Sequence, residues 1–281
     1  MKRFRITGGV LATMVLLCAC RLTPHVDRRP GSESSHPLTT AAPTPEDISE
    51  PDANRLPGEL SPTSHQNEEP RLDGLPQVGA AARALLQPHP FRELMIEVDW
   101  VAGHPPNPSA VDHLINVLRS STRKPVRTRG GNELLRQGGP YYPSQIRALA
   151  EKRDQGSGGS SAAIWIVYLD GRLAINRRAA GAAISGTIIA IFPDRLKETG
   201  DADGTLEAAT LVHEMGHLLG LINIGYTSPR HREDPTNPGH STNRGSVMHW
   251  SIEAASGSDG LAATFDDDDL ADLRGLADGS L

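Results

Sequence analysis

Three apolar runs after residue 90 predict β-strands. Residues 94–101 end at a His-Pro-Pro cluster, residues 162–169 are almost continuously apolar, and residues 184–192 are rich in isoleucine and stop at a proline. A continuous apolar run is typical of a central strand that is buried on both faces. We therefore expect residues 162–169 to lie inside a sheet.

Helical periodicity predicts helices at residues 110–118, at residues 144–152, from Thr205 onward and at residues 265–276. Residues 80–86 also allow a short helix, and residues 156–160 form a predicted flexible loop. The order of these elements indicates an α/β domain at residues 89–281. In it we expect a mixed, twisted sheet over a central helix, with a C-terminal helix closing the fold.

The last predicted helix begins with four aspartates at positions 266–269. Acidic residues in a first helical turn interact favourably with the helix dipole. A calcium loop is the alternative interpretation. It is disfavoured because oxygen ligands at alternating positions and a turn-forming glycine are missing.

The first residues differ from this pattern. Lys2, Arg3 and Arg5 precede an apolar run at residues 6–19, which indicates a secretion signal at residues 1–19. Residues 17–20, Leu-Cys-Ala-Cys, resemble the lipoprotein box of bacteria, and the alternative is an ordinary signal peptide. The resemblance implies cleavage before Cys20, lipidation of Cys20, and membrane attachment in the bacterial cell envelope. Arg21 favours the outer membrane or the cell surface.

The segment between the predicted signal and the predicted domain has a distinct composition. Of 22 prolines, 12 lie between Pro24 and Pro90. Residues 20–88 are also rich in Ser, Thr and Glu, so they bury too little apolar surface to fold and are predicted to form a disordered tether. A pro-segment is the alternative for this region.

Charge and cysteine content exclude two classes of function. The chain has 28 Lys and Arg against 34 Asp and Glu, a net charge of −6, and no basic stripe with interleaved aromatic residues. Nucleic-acid binding is therefore not expected. Both cysteines, Cys18 and Cys20, precede the predicted domain, so the domain has neither a disulfide nor a thiolate for catalysis.

The predicted helix from Thr205 contains the pattern HExxH. His213 and His217 are four residues apart and lie on the same helix face, beside Glu214, so that both imidazoles reach one ion. The opposite face carries an apolar stripe. It consists of Ala208, Leu211, Val212, Met215, Leu218 and Leu219. The alternative to a metal site is that His213 and His217 are simply two surface histidines. A catalytic zinc site needs a third protein ligand and one open position.

The stretch HEMGHLLGL resembles the metzincin peptidases, in which a glycine turn delivers a third histidine six residues after the second. Here Gly220 supplies the turn, but Asn223 stands at the position of the histidine. Residues 246–250, SVMHW, resemble the metzincin Met-turn, with Met248 as its methionine. In the matrix-metalloprotease and archaemetzincin-like patterns the third histidine precedes that methionine by eight residues, which here selects His240.

Residues 223–239 are then an insertion between the glycine turn and the third ligand. His231 and Asn223 remain alternative ligands. His231 with Asp234 also fits a hydrogen-bonded loop pair or a second cation site. A rival zincin class takes a glutamate from a helix as its third ligand, but Glu233 is followed by residues that cannot form a helix interior. Trp250 replaces a metal-proximal tyrosine of astacin-like enzymes.

The resemblance implies a zinc-dependent endopeptidase with one catalytic Zn²⁺ and Glu214 as general base. It also implies a peptide or protein substrate that lies extended along an edge strand, here residues 181–191. Small residues there would let a peptide approach, or would pack tightly within the sheet. The alternative from another class is a surface lipoprotein that binds metal without catalysis. The retained Glu214 argues against it, because a structural zinc needs no base.

Overall fold

The computed structural model describes residues 19–21, 75–152, 160–251 and 263–281. The predicted signal peptide up to residue 18, most of the predicted tether and nearly all of the predicted loop at 156–160 lie outside the described residues. For residues 19–21 the backbone alone is described.

The described part is an α/β fold built on one mixed sheet. The helices are α1 (Ala82–Leu86), α2 (Pro108–Thr122), α3 (Pro143–Glu151), α4 (Pro193–Glu198), α5 (Thr205–Leu218) and α6 (Asp267–Asp278). The strands of the sheet are β1 (Ala19–Arg21), β2 (Glu93–Val101), β3 (Val126–Leu134), β4 (Ser161–Tyr168), β5 (Ala179–Ser185) and β6 (Ile188–Ile191). A small separate hairpin joins β7 (Glu233–Asp234) to β8 (Asn237–Ser241).

The order across the sheet is β1-β5-β6-β4-β2-β3. The four strands from β6 to β3 are parallel, whereas β5 is antiparallel to β6 and β1 is antiparallel to β5. This mixed sheet with helices agrees with the predicted fold class.

The central strand β4 divides the core into two layers. Ile164, Ile166 and Tyr168 pack on the side of α2, α5 and α6, while Trp165 and Val167 pack on the side of α3. Both faces of β4 are therefore buried, as its continuous apolar sequence predicts. The predictions for β2, α2, α3, α5 and α6 are confirmed, with shifts of a few residues at their ends.

The prediction of a single strand at residues 184–192 is wrong. The chain forms two antiparallel strands, β5 and β6, which a turn at Gly186 and Thr187 separates. The apolar pattern misleads because both strands are fully buried, so the turn interrupts no visible alternation. The predicted edge strand at 181–191 thus includes most of β5 and all of β6.

Strand β3 was not predicted from the sequence. It lies at one edge of the sheet, and its central residues are exposed. An exposed edge strand has no apolar face to create a period of two, and two glycines at 130 and 131 hide it further.

Helix α1 lies in the short segment that the sequence allowed to be helical. Leu85 and Leu86 are buried in the same core as α2 and α6. Residues 75–88, which composition assigns to the tether, thus pack against the domain. No helix among the described residues is long and apolar enough to cross a membrane.

Candidate metal centre

Helix α5 carries the HExxH residues and is buried along almost its whole length. All residues from 206 to 218 are buried, including His213, Glu214 and His217, each with no exposed surface. The sequence predicts that this helix packs by one face and leaves the other open to bind an ion. In the structure both faces of α5 are buried. Strand β5 and helix α2 both pack against α5, and the turn that contains Met248 lies beneath it.

Gly216 allows this close approach of Met248. A Cβ atom at position 216 would lie 2.3 Å from the Met248 sulfur, which is far inside van der Waals contact. The Met248 side chain is fully buried. The predicted methionine turn therefore lies directly under the HExxH segment.

Three histidines meet at one point. The ring centroids of His213 and His217 are 4.6 Å apart. The ring centroid of His240 lies 5.3 Å from that of His213 and 5.1 Å from that of His217. Ligand atoms of the three residues all lie within 4.8 Å of one another. The spacing to Met248 thus selected the histidine that the fold brings to the other two.

Hydrogen bonds determine which nitrogen of two of these rings faces the centre. Nδ1 of His213 lies 2.6 Å from the Val247 carbonyl, and Nδ1 of His240 lies 3.1 Å from the Pro238 carbonyl. A carbonyl only accepts, so both Nδ1 atoms carry the proton and Nε2 is left with a lone pair. Nε2 of His240 is buried and has no partner among the described residues.

This donor set fits a tetrahedral zinc ion. Nε2 of His217 lies 2.9 Å from Nε2 of His213. Zinc–nitrogen bonds of about 2.0–2.1 Å in tetrahedral geometry place two ligands about 3.3 Å apart, so only a small opening of the pair is needed. The orphaned Nε2 of His240 is a further sign, since buried polar atoms normally have a partner.

The electrostatics favour neutral rings. Burial, together with the nearby His240, lowers the pKa of His213 to about 3. Burial also places the pKa of His217 well below its usual value and lowers the pKa of His240. Neutral imidazole is the form that binds a metal ion.

The loop between α5 and β8 delivers His240. Gly220 has φ +86, as expected of the glycine that ends a helix. Asn223 follows with φ +63, and its side-chain amide donates to Glu233 over 2.7 Å while its oxygen accepts from the Ser228 amide. Glu233 also accepts from the Gly239 amide, next to His240. Asn223 and Glu233 therefore fasten the loop, and their polar groups are used within it.

The remaining alternative ligand lies elsewhere. His231 is exposed and is not part of the histidine cluster. The Asp234 carboxylate accepts from the Thr236 amide and from the Asn237 side chain. Together they form neither a loop pair nor a cation site in the described residues, and Asp234 instead caps the turn between β7 and β8.

Glu214 follows His213 on α5, and the sheet holds its side chain. Its Oε2 accepts a 2.7 Å hydrogen bond from the Ala183 amide of β5. Gly181 permits this contact, because a Cβ there would lie 2.6 Å from Thr210 and 3.0 Å from the Glu214 side chain. A fixed carboxylate one residue after a candidate metal ligand could act as a general base.

Sequence reasoning missed the groups that orient these side chains. The Val247 carbonyl and the Ala183 amide are backbone groups, and no residue type marks them. Trp250 is half-buried and its ring lies 5.6 Å from that of His249.

Comparison with known proteins finds distant structural likenesses. No protein-family model and no curated protein matches the chain. Archaemetzincin from Methanopyrus kandleri is 16% identical, with a TM-score of 0.44 over 66% of this chain and 96% of its own. Archaemetzincin from Archaeoglobus fulgidus, solved with malonate, is 18% identical, with a TM-score of 0.37 over 64% of this chain and 99% of its own.

A zinc-dependent peptidase from Methanocorpusculum labreanum is 16% identical, with a TM-score of 0.35 over 55% of this chain and 87% of its own. Likenesses at this level do not establish a function, which must be read from the side chains of the centre itself.

Proposed function

We propose that this protein is a zinc-dependent endopeptidase that holds one Zn²⁺ with His213, His217 and His240. One observation carries the proposal. Three buried imidazoles converge on a common point, and the Ala183 amide fixes the carboxylate of Glu214, the residue that follows His213. Three protein ligands leave a fourth position open, as a catalytic zinc requires.

When bound, zinc would lower the pKa of a water molecule to about 7 and polarise a substrate carbonyl. Glu214 then takes the proton of the attacking water and returns it to the leaving amine. The Ala183 amide keeps Oε2 in place, so the carboxylate needs little reorganisation as the proton moves.

The outer edge of β5 is the proposed site of an extended peptide. An extended segment already pairs there: β1 lies antiparallel to β5, with Ala19 opposite Ala182 and Arg21 opposite Ala179. β1 also contacts α5. A substrate that adds a strand to this edge gains main-chain hydrogen bonds, and it must first displace residues 19–21.

We also propose that Cys20 is the lipid-anchoring residue of a protein of the bacterial cell envelope, at the outer membrane or the surface. Its support is the sequence Leu-Cys-Ala-Cys after a charged and then apolar segment. Cleavage before Cys20 would divide β1 after Ala19.

The experiment is a zinc determination combined with hydrolysis of a quenched peptide, for wild type and Glu214→Gln. Equal zinc in both, with hydrolysis lost only in Glu214→Gln, is the expected result. Glu151→Gln, at an exposed position at the end of α3, is the matched control. Equal hydrolysis by wild type and Glu214→Gln would overturn the role of the base. Zinc in both without hydrolysis in either would favour a non-catalytic metal-binding protein.

A further inference from the structure

A buried ion-pair cluster lies between the insertion loop and α6. Nη1 of Arg232 lies 2.5 Å from Asp269, and Nη2 lies 2.8 Å from Asp272. Both carboxylates are completely buried, and only 9% of Arg232 is exposed. The guanidinium fork thus joins the loop to two successive turns of α6.

The first connection from this cluster leads to the third histidine. The Arg232 carbonyl accepts from the Thr242 amide over 2.8 Å and from the Thr242 hydroxyl over 3.2 Å. Thr242 lies two residues after His240. Fixing Arg232 against α6 therefore fixes the strand that presents the His240 ring.

The second connection leads to the turn beneath α5. Asp269 accepts from the Ser246 hydroxyl over 3.4 Å, and that hydroxyl accepts from the Met248 amide over 3.1 Å. Between them lies Val247, whose carbonyl holds His213. The same cluster thus touches the supports of two of the three histidines.

The charged groups of this cluster, Arg232, Asp269 and Asp272, stabilise one another's charged forms. Burial raises the pKa of Asp269 to about 6, although Arg232 opposes the shift. Asp269 and Asp272 in turn raise the pKa of Arg232, against the effect of burial. Removing one partner from such a buried group leaves an uncompensated charge, which strongly destabilises the cluster.

We propose that Arg232 is a positioning residue for the metal centre: by holding the insertion loop and the Ser246–Met248 turn against α6, it sets the affinity of the three histidines for zinc. This rests on the proposed role of His213, His217 and His240 as zinc ligands. Outer groups that orient metal ligands typically change metal affinity about 10- to 100-fold when they are removed.

Arg230 is the matched control. It pairs with the same Asp272, and with Asp268 over 3.3 Å, but it is one-third exposed. Among the described residues, the Arg230 side chain contacts Asp268 and Asp272 but neither Thr242 nor Ser246. A substitution at Arg230 therefore perturbs the same helix without touching the two connections.

The test measures zinc dissociation constants by chelator competition, and the visible spectrum of the Co²⁺-loaded protein, for full-length variants. Arg232→Lys keeps the charge but loses the fork, and Arg232→Met with Asp269→Asn removes a cation together with an anion. We expect both to bind zinc about 10- to 100-fold more weakly than wild type. Their Co²⁺ spectra should change as well. Arg230→Met should stay within about twofold of wild type.

Urea unfolding of the metal-free proteins separates positioning from stability alone. Arg232 variants that are folded, less stable and yet equal to wild type in zinc affinity and Co²⁺ spectrum would overturn the proposal. If Arg232→Met with Asp269→Asn does not fold, Arg232→Lys decides by the same criterion. A wild-type protein that binds no zinc would instead overturn the proposed function, and this inference with it.

Discussion

The Ala183 amide of β5 donates a hydrogen bond to the Glu214 carboxylate of α5 over 2.7 Å. The backbone of strand β5 thus holds the side chain of the proposed general base. The geometry predicts that the length of the acidic side chain matters as much as its charge.

Glu214→Asp should therefore lose activity while it retains zinc. A side chain shorter by one methylene cannot reach both the Ala183 amide and the reacting water. We expect kcat for peptide hydrolysis to fall about 10²- to 10⁴-fold, the range that general-base catalysis supplies. Stopped-flow or steady-state kinetics of peptide hydrolysis measures kcat, and a zinc determination on the same samples shows whether the metal is retained. An Asp variant with wild-type kcat would show that the Ala183 contact plays no part.

Gly216→Ala should destabilise the protein although alanine is the better helix former. The new Cβ would lie 2.3 Å from the Met248 sulfur. Overpacking of this kind costs about 1–3 kcal/mol, which outweighs the helix-propensity gain of about 1 kcal/mol. Urea unfolding measures the difference.

Gly245→Ala is the control for that substitution, because a Cβ there would meet no atom closer than 3.5 Å. If Gly216→Ala were as stable as Gly245→Ala, the close packing of Met248 under α5 would be contradicted.

The pairing of β1 with β5 predicts that residues 19–21 compete with substrate. A chain that begins at residue 22 lacks β1, so a peptide no longer has to break that pairing. Each hydrogen bond contributes about 0.5–1.5 kcal/mol, so kcat/KM should rise at least about twofold over the uncleaved chain that keeps residues 19–21. Hydrolysis of one quenched peptide by both proteins measures this. Equal or lower kcat/KM in the shorter chain would place the substrate elsewhere.

Asn223→Ala should loosen the insertion loop without removing a ligand. Its amide binds Glu233 and its oxygen binds the Ser228 amide. Loss of these bonds should lower the free energy of unfolding by about 1–3 kcal/mol, since partly buried groups are left unpaired. Zinc content should stay at wild-type stoichiometry. A metal-free but stable Asn223→Ala protein would instead identify Asn223 as a ligand.

The histidine cluster of the candidate metal centre can be predicted from the sequence where chemistry and periodicity coincide. His213, Glu214 and His217 follow from helical spacing. The resemblance to the metzincin pattern favours His240 over His231 and Asn223 by its distance to Met248, and the fold keeps β8 and the Met248 turn adjacent. Indeed, the Ser241 amide donates to the Met248 carbonyl over 2.8 Å.

The supports of the centre were not predictable in the same way. The sequence assigns the aspartates at 266–269 to the first turn of the closing helix, with a calcium loop as the alternative. Asp266 caps that helix, as the dipole argument suggests, but Asp269 is buried against Arg232. Local charge patterns describe a helix end well, whereas a partner 37 residues earlier leaves no trace in them.

The most direct test of the account is the zinc content of His240→Ala and His231→Ala after dialysis, measured beside wild type. The account predicts about one zinc per chain in wild type and in His231→Ala, and clearly less than one in His240→Ala, because three ligands hold a catalytic zinc. Full zinc in His240→Ala, with loss in His231→Ala, would contradict it.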